Sequence, residues 1–387
     1  SLIQPLSFTE ITLAPQMPRG LPGVALFDFD NDGDLDIYAT NALGHPNALF
    51  ANQVRQTGQP TFVEVAAQAG VAAVDHDSYG VCFGDLDNDG DHDLYVLGRQ
   101  EPNRLYENRG DGTFLLRAAS GAEGGATTSA TCSMGDIDND GLLDIVVANA
   151  FDQQISLAIY TEPYALNQHN ALFVNEGNLA FSDASASSGI TVNGGLPPGA
   201  AGITWATTVV DIDLDGDADV IFMDDQGAIL AARNGGLDRG FVHVFLNDGS
   251  GHFVDHPIIN DDNSASEWMG VTVGDLDCDG HLDLFGSSFG DYDNPAFGAP
   301  YRPGSSSSRP LFGHGNGRFT DPYLTWGLTA TVFGWGNGLL DYDADGDLDV
   351  IFHGGLDPGQ EITVRDNPGA LLANQGCTRQ FAVDTTA

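Results

Sequence analysis

Aspartate stands at alternate positions of a nine-residue pattern, D-x-D-x-D-G-x-x-D, that occurs six times along the chain. The copies read DFDNDGDLD from Asp28, DLDNDGDHD from Asp85, DIDNDGLLD from Asp136, DIDLDGDAD from Asp211, DLDCDGHLD from Asp275 and DYDADGDLD from Asp341. Alternating carboxylates on a short turn supply what a hard cation such as calcium needs, roughly six to eight oxygens at about 2.3–2.6 Å. Glycine at position six allows the sharp turn that brings the fifth and ninth residues back toward one centre. Position seven varies, which suits a ligand offered by the backbone carbonyl.

The candidate metal ligands, loop by loop, begin with Asp28, Asp30, Asp32, Asp34 and Asp36, then Asp85, Asp87, Asp89, Asp91 and Asp93. The third and fourth loops offer Asp136, Asp138, Asp140, Leu142 and Asp144, and Asp211, Asp213, Asp215, Asp217 and Asp219. The last two offer Asp275, Asp277, Asp279, His281 and Asp283, and Asp341, Asp343, Asp345, Asp347 and Asp349. One calcium ion per loop is expected, six in all. An EF-hand loop would need a bidentate Glu at position twelve. That position holds Ala39, Val96, Val147, Phe222, Gly286 and Phe352 instead. A plain Asp-Gly hairpin turn would not require four carboxylates in every copy.

The segments around the loops read as strands. Gly-Val-Ala-Leu-Phe (23–27) precedes the first loop and Ile-Tyr-Ala-Thr (37–40) follows it. A second motif comes after each loop: Leu49–Asn52, Leu105–Asn108, Leu172–Asn175, Val244–Asn247, Leu311–His314 and Leu371–Asn374. A Gly-rich turn and an aromatic-led strand then follow, as at Gly112-Thr113-Phe114 and Gly251-His252-Phe253. Each unit is therefore strand A, metal loop, strand B, long connection, strand C, tight turn and strand D. The expected fold is all-β, a β-propeller of four-stranded antiparallel blades forming a single domain over residues 1–387. Six loops and six C strands predict six blades. Extra D-like segments at Phe8–Ile11 and Phe381–Asp384 keep seven blades, one of them degenerate, as the alternative.

In these motifs the chain resembles the FG-GAP, or VCBS, repeat family over nearly its whole length. That family takes in the integrin α-subunit propeller and a cartilage-acidic-protein-like group. The resemblance implies that the nine-residue loop joins strands A and B and binds calcium. Similar propellers also host lyase and carbon–carbon bond-forming chemistry near the axis.

Charge narrows the partners. With 55 acidic and 13 basic residues the formal charge is −42, which repels nucleic acid and anionic membranes. No apolar run reaches the roughly 18 residues of a membrane-spanning helix, so no membrane insertion is expected. The 22 phenylalanines and recurrent short apolar runs argue for a packed fold and against acidic disorder. Cations are left to neutralise the carboxylates. Loops without a Glu clamp belong to the weak-binding range of about 10⁻⁴–10⁻³ M, which predicts a secreted, periplasmic or cell-surface protein. Cys82, Cys132, Cys278 and Cys377 are too few and too irregular for a disulfide scaffold or zinc site, and leave the redox compartment open.

A second candidate site follows from loop lengths. From the first loop Asp to the next strand C the distance is 21 and 20 residues in the first two units, then 36, 33, 36 and 30. Growth is concentrated in the B–C connections at 150–170, 225–241, 287–309 and 354–369, on the face opposite the metal loops. Loops that lengthen on one face of a rigid scaffold carry function. Six residues before each metal loop stand Pro22, Tyr79, Ala130, Trp205, Met269 and Trp335, with Trp268 beside Met269. Arg19, His76, Asp77 and Glu267 lie in the same connections. The candidate ligand-binding set is Arg19, Asp77, Tyr79, Trp205, Glu267, Trp268 and Trp335, aromatic groups beside a few polar ones. Large side chains are also what an axial channel needs for packing. The expected function is recognition of a protein or glycan partner on this face, with calcium as structural cofactor. The alternative is an enzyme near the axis, with Tyr79, Asp77, His76 or Glu267 as acid or base. Arg109-Gly110-Asp111 sits where other units have a C–D turn, and Gly286–Gly290 matches G-x-S-x-G without the helix a nucleophile elbow needs.

Overall fold

Strand A of the first blade, Val24–Phe27, shows why these segments become strands. Ala25 and Phe27 are buried while Val24 and Leu26 are exposed, the period of two that one buried face imposes. The computed structural model describes residues 23–150, 168–191, 201–225, 240–257, 266–288, 308–322, 334–352 and 369–384. Within them lie six four-stranded antiparallel sheets, each in the order A-B-C-D, arranged as a six-bladed β-propeller. The innermost strands are Val24–Phe27, Ser78–Gly84, Ser129–Gly135, Thr204–Val210, Trp268–Gly274 and Asn337–Leu340. Phe381–Asp384 is strand D of the sixth sheet, pairing with Ala370–Asn374. The expected six blades are therefore present, and the D-like segment at Phe8–Ile11 lies outside the described residues. The described helices are two single turns, Val54–Thr57 and Ala66–Ala69, each stopped by a left-handed glycine, Gly58 or Gly70.

The core sits between blades. Phe27, Tyr38 and Leu49 of blade 1 pack on Leu94, Val96 and Tyr106 of blade 2. Tyr95 and Leu105 of blade 2 meet Ile145, Val147 and Phe173 of blade 3, and the same layering continues from blade to blade as far as blade 6. Inner strands approach closely where glycine leaves room. A Cβ at Gly80 would lie 2.4 Å from the Ala130 carbonyl oxygen, and one at Gly270 would lie 2.3 Å from that of Trp335.

Two disulfides, undecided by the sequence, cross between neighbouring blades. Cys82–Cys132 joins the inner strands of blades 2 and 3, with Cα atoms 6.0 Å apart. Cys278–Cys377 joins the metal loop of blade 5 to the C–D turn of blade 6, with Cα atoms 5.5 Å apart. Both false motifs resolve into ordinary structure. Arg109–Asp111 forms the C–D turn of blade 2, with the Arg109 amide donating to the Thr113 carbonyl. Gly286–Ser288 lies within the buried strand Asp283–Ser288, where Ser288 Oγ donates to the Glu267 carbonyl.

Candidate metal loops and axial cavity

Each loop closes a hairpin in which position nine faces the residue preceding position one. The pairs are Phe27–Asp36, Gly84–Asp93, Gly135–Asp144, Val210–Asp219, Gly274–Asp283 and Leu340–Asp349. The turn is then wound by its own aspartates. Asp85 accepts the amides of Asp89 and Gly90 at 3.0 Å each, and the Asp89 carboxylate accepts the Asp91 amide at 2.9 Å. The other five loops repeat this arrangement. Position six, such as Gly90 at φ 97°, needs glycine, and position four is left-handed as well. Asparagine, which tolerates that conformation, fills position four in the first three loops.

Position nine has a second role that the repeat pattern alone did not reveal. One oxygen of Asp144 accepts the Ile137 amide at 2.8 Å, and the other accepts the Asn175 amide of strand C at 2.8 Å. Every loop makes this pair of bonds, so position nine pins the metal loop to strand C. The strand-C asparagine extends the pin to the preceding blade. Asn175 Nδ2 donates to the Leu143 carbonyl and, across the blade boundary, to that of Leu86. Asn108, Asn247 and Asn374 act likewise. The signal was present as the recurrent Asn ending strand C, but its partners are up to 110 residues away.

Five of these loops fit a divalent cation on the evidence of their own oxygens. Asp34, Asp87, Asp138, Asp213 and Asp347 each carry a buried Oδ1 with no hydrogen-bond partner. An unpaired buried carboxylate oxygen is costly unless a cation meets it. Carboxylates of positions one, three and five converge within 4.8 Å at Asp28, Asp85, Asp211 and Asp275 and their partners, and Asp136 and Asp138 converge with Asp144. Asp91 and Asp217, at position seven, are instead met by Asn31 and Asn139 of the preceding blade.

Burial and neighbouring carboxylates push Asp30, Asp87, Asp138 and Asp213 above their ordinary range. Burial also lifts Asp93 and Asp144 to about 7, and Asp36, Asp219 and Asp283 to about 6. These folded-state values exceed the unfolded one of about 3.9, so the cation-free fold binds more protons than the unfolded chain. Its stability should therefore rise as pH falls from 8 to 5. With calcium present the trend should reverse, because protons compete for the same oxygens. His243 adds stability as pH falls from 8 in both states alike, so it opposes the calcium-loaded trend but cancels from the difference between the two. Burial disfavours its charge, but Asp224 and Asp255, each 3.3 Å away, hold it up at about 10. Melting curves with and without EGTA across this pH range check the reversal; parallel pH trends would contradict it.

At the other end of the inner strands lies a cavity of about 620 Å³, lined by residues of all six. Three aromatic residues, Tyr79, Trp205 and Trp335, and Met269 form its wall, with Thr131, Thr207 and Asn337 deeper along the strands. Trp205 and Trp335 stand perpendicular with centroids 5.9 Å apart, and Tyr79 meets Trp205 at 6.5 Å. Trp205 is fixed from behind, its Nε1 donating to Asp225 at 3.1 Å. The metal loops follow the opposite ends of these strands, so Tyr79 and Asp85 are separated by about 20 Å of extended chain.

Of the seven ligand-binding candidates, Tyr79, Trp205 and Trp335 meet at this cavity. Trp268 does not line it. It is fully buried among blade-4 and blade-5 residues, beneath the Arg309 guanidinium at 4.5 Å, and Met269 takes the place on the wall. Asp77 is paired with Arg99, and Glu267 is buried beside Asp225. His76 is buried against Ser78 and the Pro102 carbonyl, and burial lowers its basicity. Arg19 and most of the long B–C connections lie outside the described residues.

Residues 28–96, 85–147 and 225–286 match the FG-GAP-like repeat family. Cartilage acidic protein 1 of Homo sapiens is 27% identical over 276 residues, spanning 67% of this chain and 36% of that protein. Its Xenopus tropicalis counterpart is 23% identical over 420 residues, spanning 91% of this chain and 60% of that protein. The chain thus covers less than two thirds of the length of either curated relative. A lectin of Agrocybe aegerita, described as recognising non-reducing terminal N-acetylglucosamine, matches with a TM-score of 0.52 at 18% identity. That match covers 94% of this chain and 79% of the lectin, and is a likeness of fold.

Proposed function

Because this chain belongs to the FG-GAP-repeat family of β-propellers, we propose that it is a calcium-stabilised binding module acting outside the cytosol. It takes a protein or glycan partner at the axial cavity, on the face opposite its metal loops. The observation that carries this reading is the cavity wall. In a chain of formal charge −42, none of the described lining residues is Asp, Glu, Lys, Arg or His. Such a wall suits the apolar face of a neutral sugar or an uncharged peptide segment. Of the acid–base candidates only Tyr79 stands on this wall, while Asp77 pairs with Arg99, His76 is bonded to Ser78 and Glu267 is buried away from it. The lectin of similar fold lends the glycan half of the proposal its first probe, N-acetylglucosamine. Two interblade disulfides and weak calcium loops support an oxidising, calcium-rich compartment.

The test is a panel of neutral glycans and of extracellular proteins, read against the Trp335→Ala variant. An aromatic anchor at the centre of a binding site is worth about 2 kcal/mol or more, roughly thirtyfold in affinity. Binding of panel hits should fall by that factor. If the variant loses melting temperature while binding every hit as before, the cavity is packing and the proposed site is wrong.

A further inference from the structure

We propose that the fifth loop, Asp275–Asp283, is closed by an arginine in place of calcium, so that the chain binds five ions. This rests on the calcium reading of the other loops. By sequence the fifth loop keeps the full pattern, and the carboxylates of Asp275, Asp277 and Asp279 converge as elsewhere. What differs is what meets them. Arg379, from the C–D turn of blade 6, donates from Nε to Asp277 Oδ2, and its Nη2 stands 3.8 Å from Asp279 Oδ2. The Asp277 side chain is only 3% exposed, while the Arg379 side chain keeps 43% of its surface in water.

A second observation separates this loop from the others. Each of the other five leaves one buried carboxylate oxygen without a partner; in the fifth every buried carboxylate oxygen is met, and the unpartnered buried atom is His281 Nδ1 at position seven. Asp277 Oδ1 accepts the Asp279 amide at 3.3 Å, while Oδ2 takes the guanidinium. The loop without an orphaned carboxylate oxygen is the loop that holds an arginine. The first loop gives the contrast. Arg55 lies beside it but donates its side chain to the Gly33 carbonyl, and Asp34 Oδ1 stays unpartnered.

Two further contacts hold Arg379 in place. Its guanidinium covers the Phe312 ring of blade 5 at 4.6 Å, an arrangement that suits this weakly hydrated, planar cation. The Cys278–Cys377 bond ties position four of the loop to a residue two before Arg379. In the first three loops position four is an asparagine that reaches the next blade by a hydrogen bond. The fifth loop makes the same connection covalently and adds a fixed positive charge. It therefore clasps blades 5 and 6 together without depending on calcium concentration.

Native mass spectrometry of the intact, oxidised protein in calcium-containing buffer counts the ions directly. Wild type should carry five, Arg379→Gln six, and the Asp275→Asn/Asp279→Asn variant five. The Asp85→Asn/Asp89→Asn variant should carry one fewer than wild type. If the Asp275→Asn/Asp279→Asn change lowers the count, or Arg379→Gln fails to raise it, the inference is overturned. If Asp85→Asn/Asp89→Asn leaves the count unchanged, the calcium reading itself fails and takes the inference with it. Terbium-soaked wild-type crystals need no variant. An anomalous peak in the fifth loop refutes the arginine closure; peaks in the other five alone support it.

Discussion

Removing calcium with EGTA, at low magnesium, is expected to lower the melting temperature by about 9 °C. At free calcium tenfold above the dissociation constant, about 1–10 mM for loops of this kind, each occupied site stabilises the fold by about 1.4 kcal/mol. Five such sites contribute about 7 kcal/mol, and at about 2.1 cal/mol/K per residue that corresponds to the stated shift. The loops hold 28 of the 55 acidic residues, so without the cation half of the negative charge is crowded into six turns. Because position nine also fastens strand C, and the strand-C asparagine fastens the preceding blade, strain in one turn spreads to two blades. A melting curve unmoved by EGTA would remove calcium from the account of this fold.

Breaking the disulfides should cost a comparable amount. The bonds close sequence separations of 50 and 99 residues. Chain-entropy arguments put their loss at about 4 and about 4.7 kcal/mol. Cys132 lies on the cavity wall, so a small reductant can reach that bond through the cavity. The Cys82→Ser/Cys132→Ser and Cys278→Ser/Cys377→Ser variants should each melt several degrees lower in saturating calcium. The second should lose more, since it also frees the turn that carries Arg379. An unchanged melting temperature, in protein whose mass confirms the substitutions, would mean that these bonds contribute nothing to stability.

The parts of the molecule that were legible in advance are those encoded locally. A metal loop is nine contiguous residues, and its turn depends on a glycine and an asparagine within it. Blade strands announce themselves as short apolar runs beside the loops; the first, Val24–Phe27, alternates, while Asp93–Gly98 and Asp144–Asn149 are buried along their whole length. Loop spacing predicted six blades, with seven as the alternative, and a candidate binding face opposite the loops.

Trp268 marks where local reading ends. It and Met269 are adjacent, so strand geometry sends their side chains to opposite faces. A bulge between Trp268 and Gly270 shifts the register there, and Gly286 leaves the space the buried indole fills. The tryptophan therefore enters the core and the methionine reaches the cavity. Neither outcome follows from hydrophobicity alone.

The six-fold loop, the four-stranded repeat and the candidate calcium ligands were determined by the sequence by itself, since each depends on neighbours within a few residues. Only the tertiary structure decided which cysteines pair, which carbonyls the strand-C asparagines reach and which loop receives Arg379. Across blade boundaries those partners lie from 50 to 110 residues apart and meet because the ring sets one blade against the next. Short-range spacing fixes what a turn can bind, whereas the packing angle between blades chooses what actually stands in front of it.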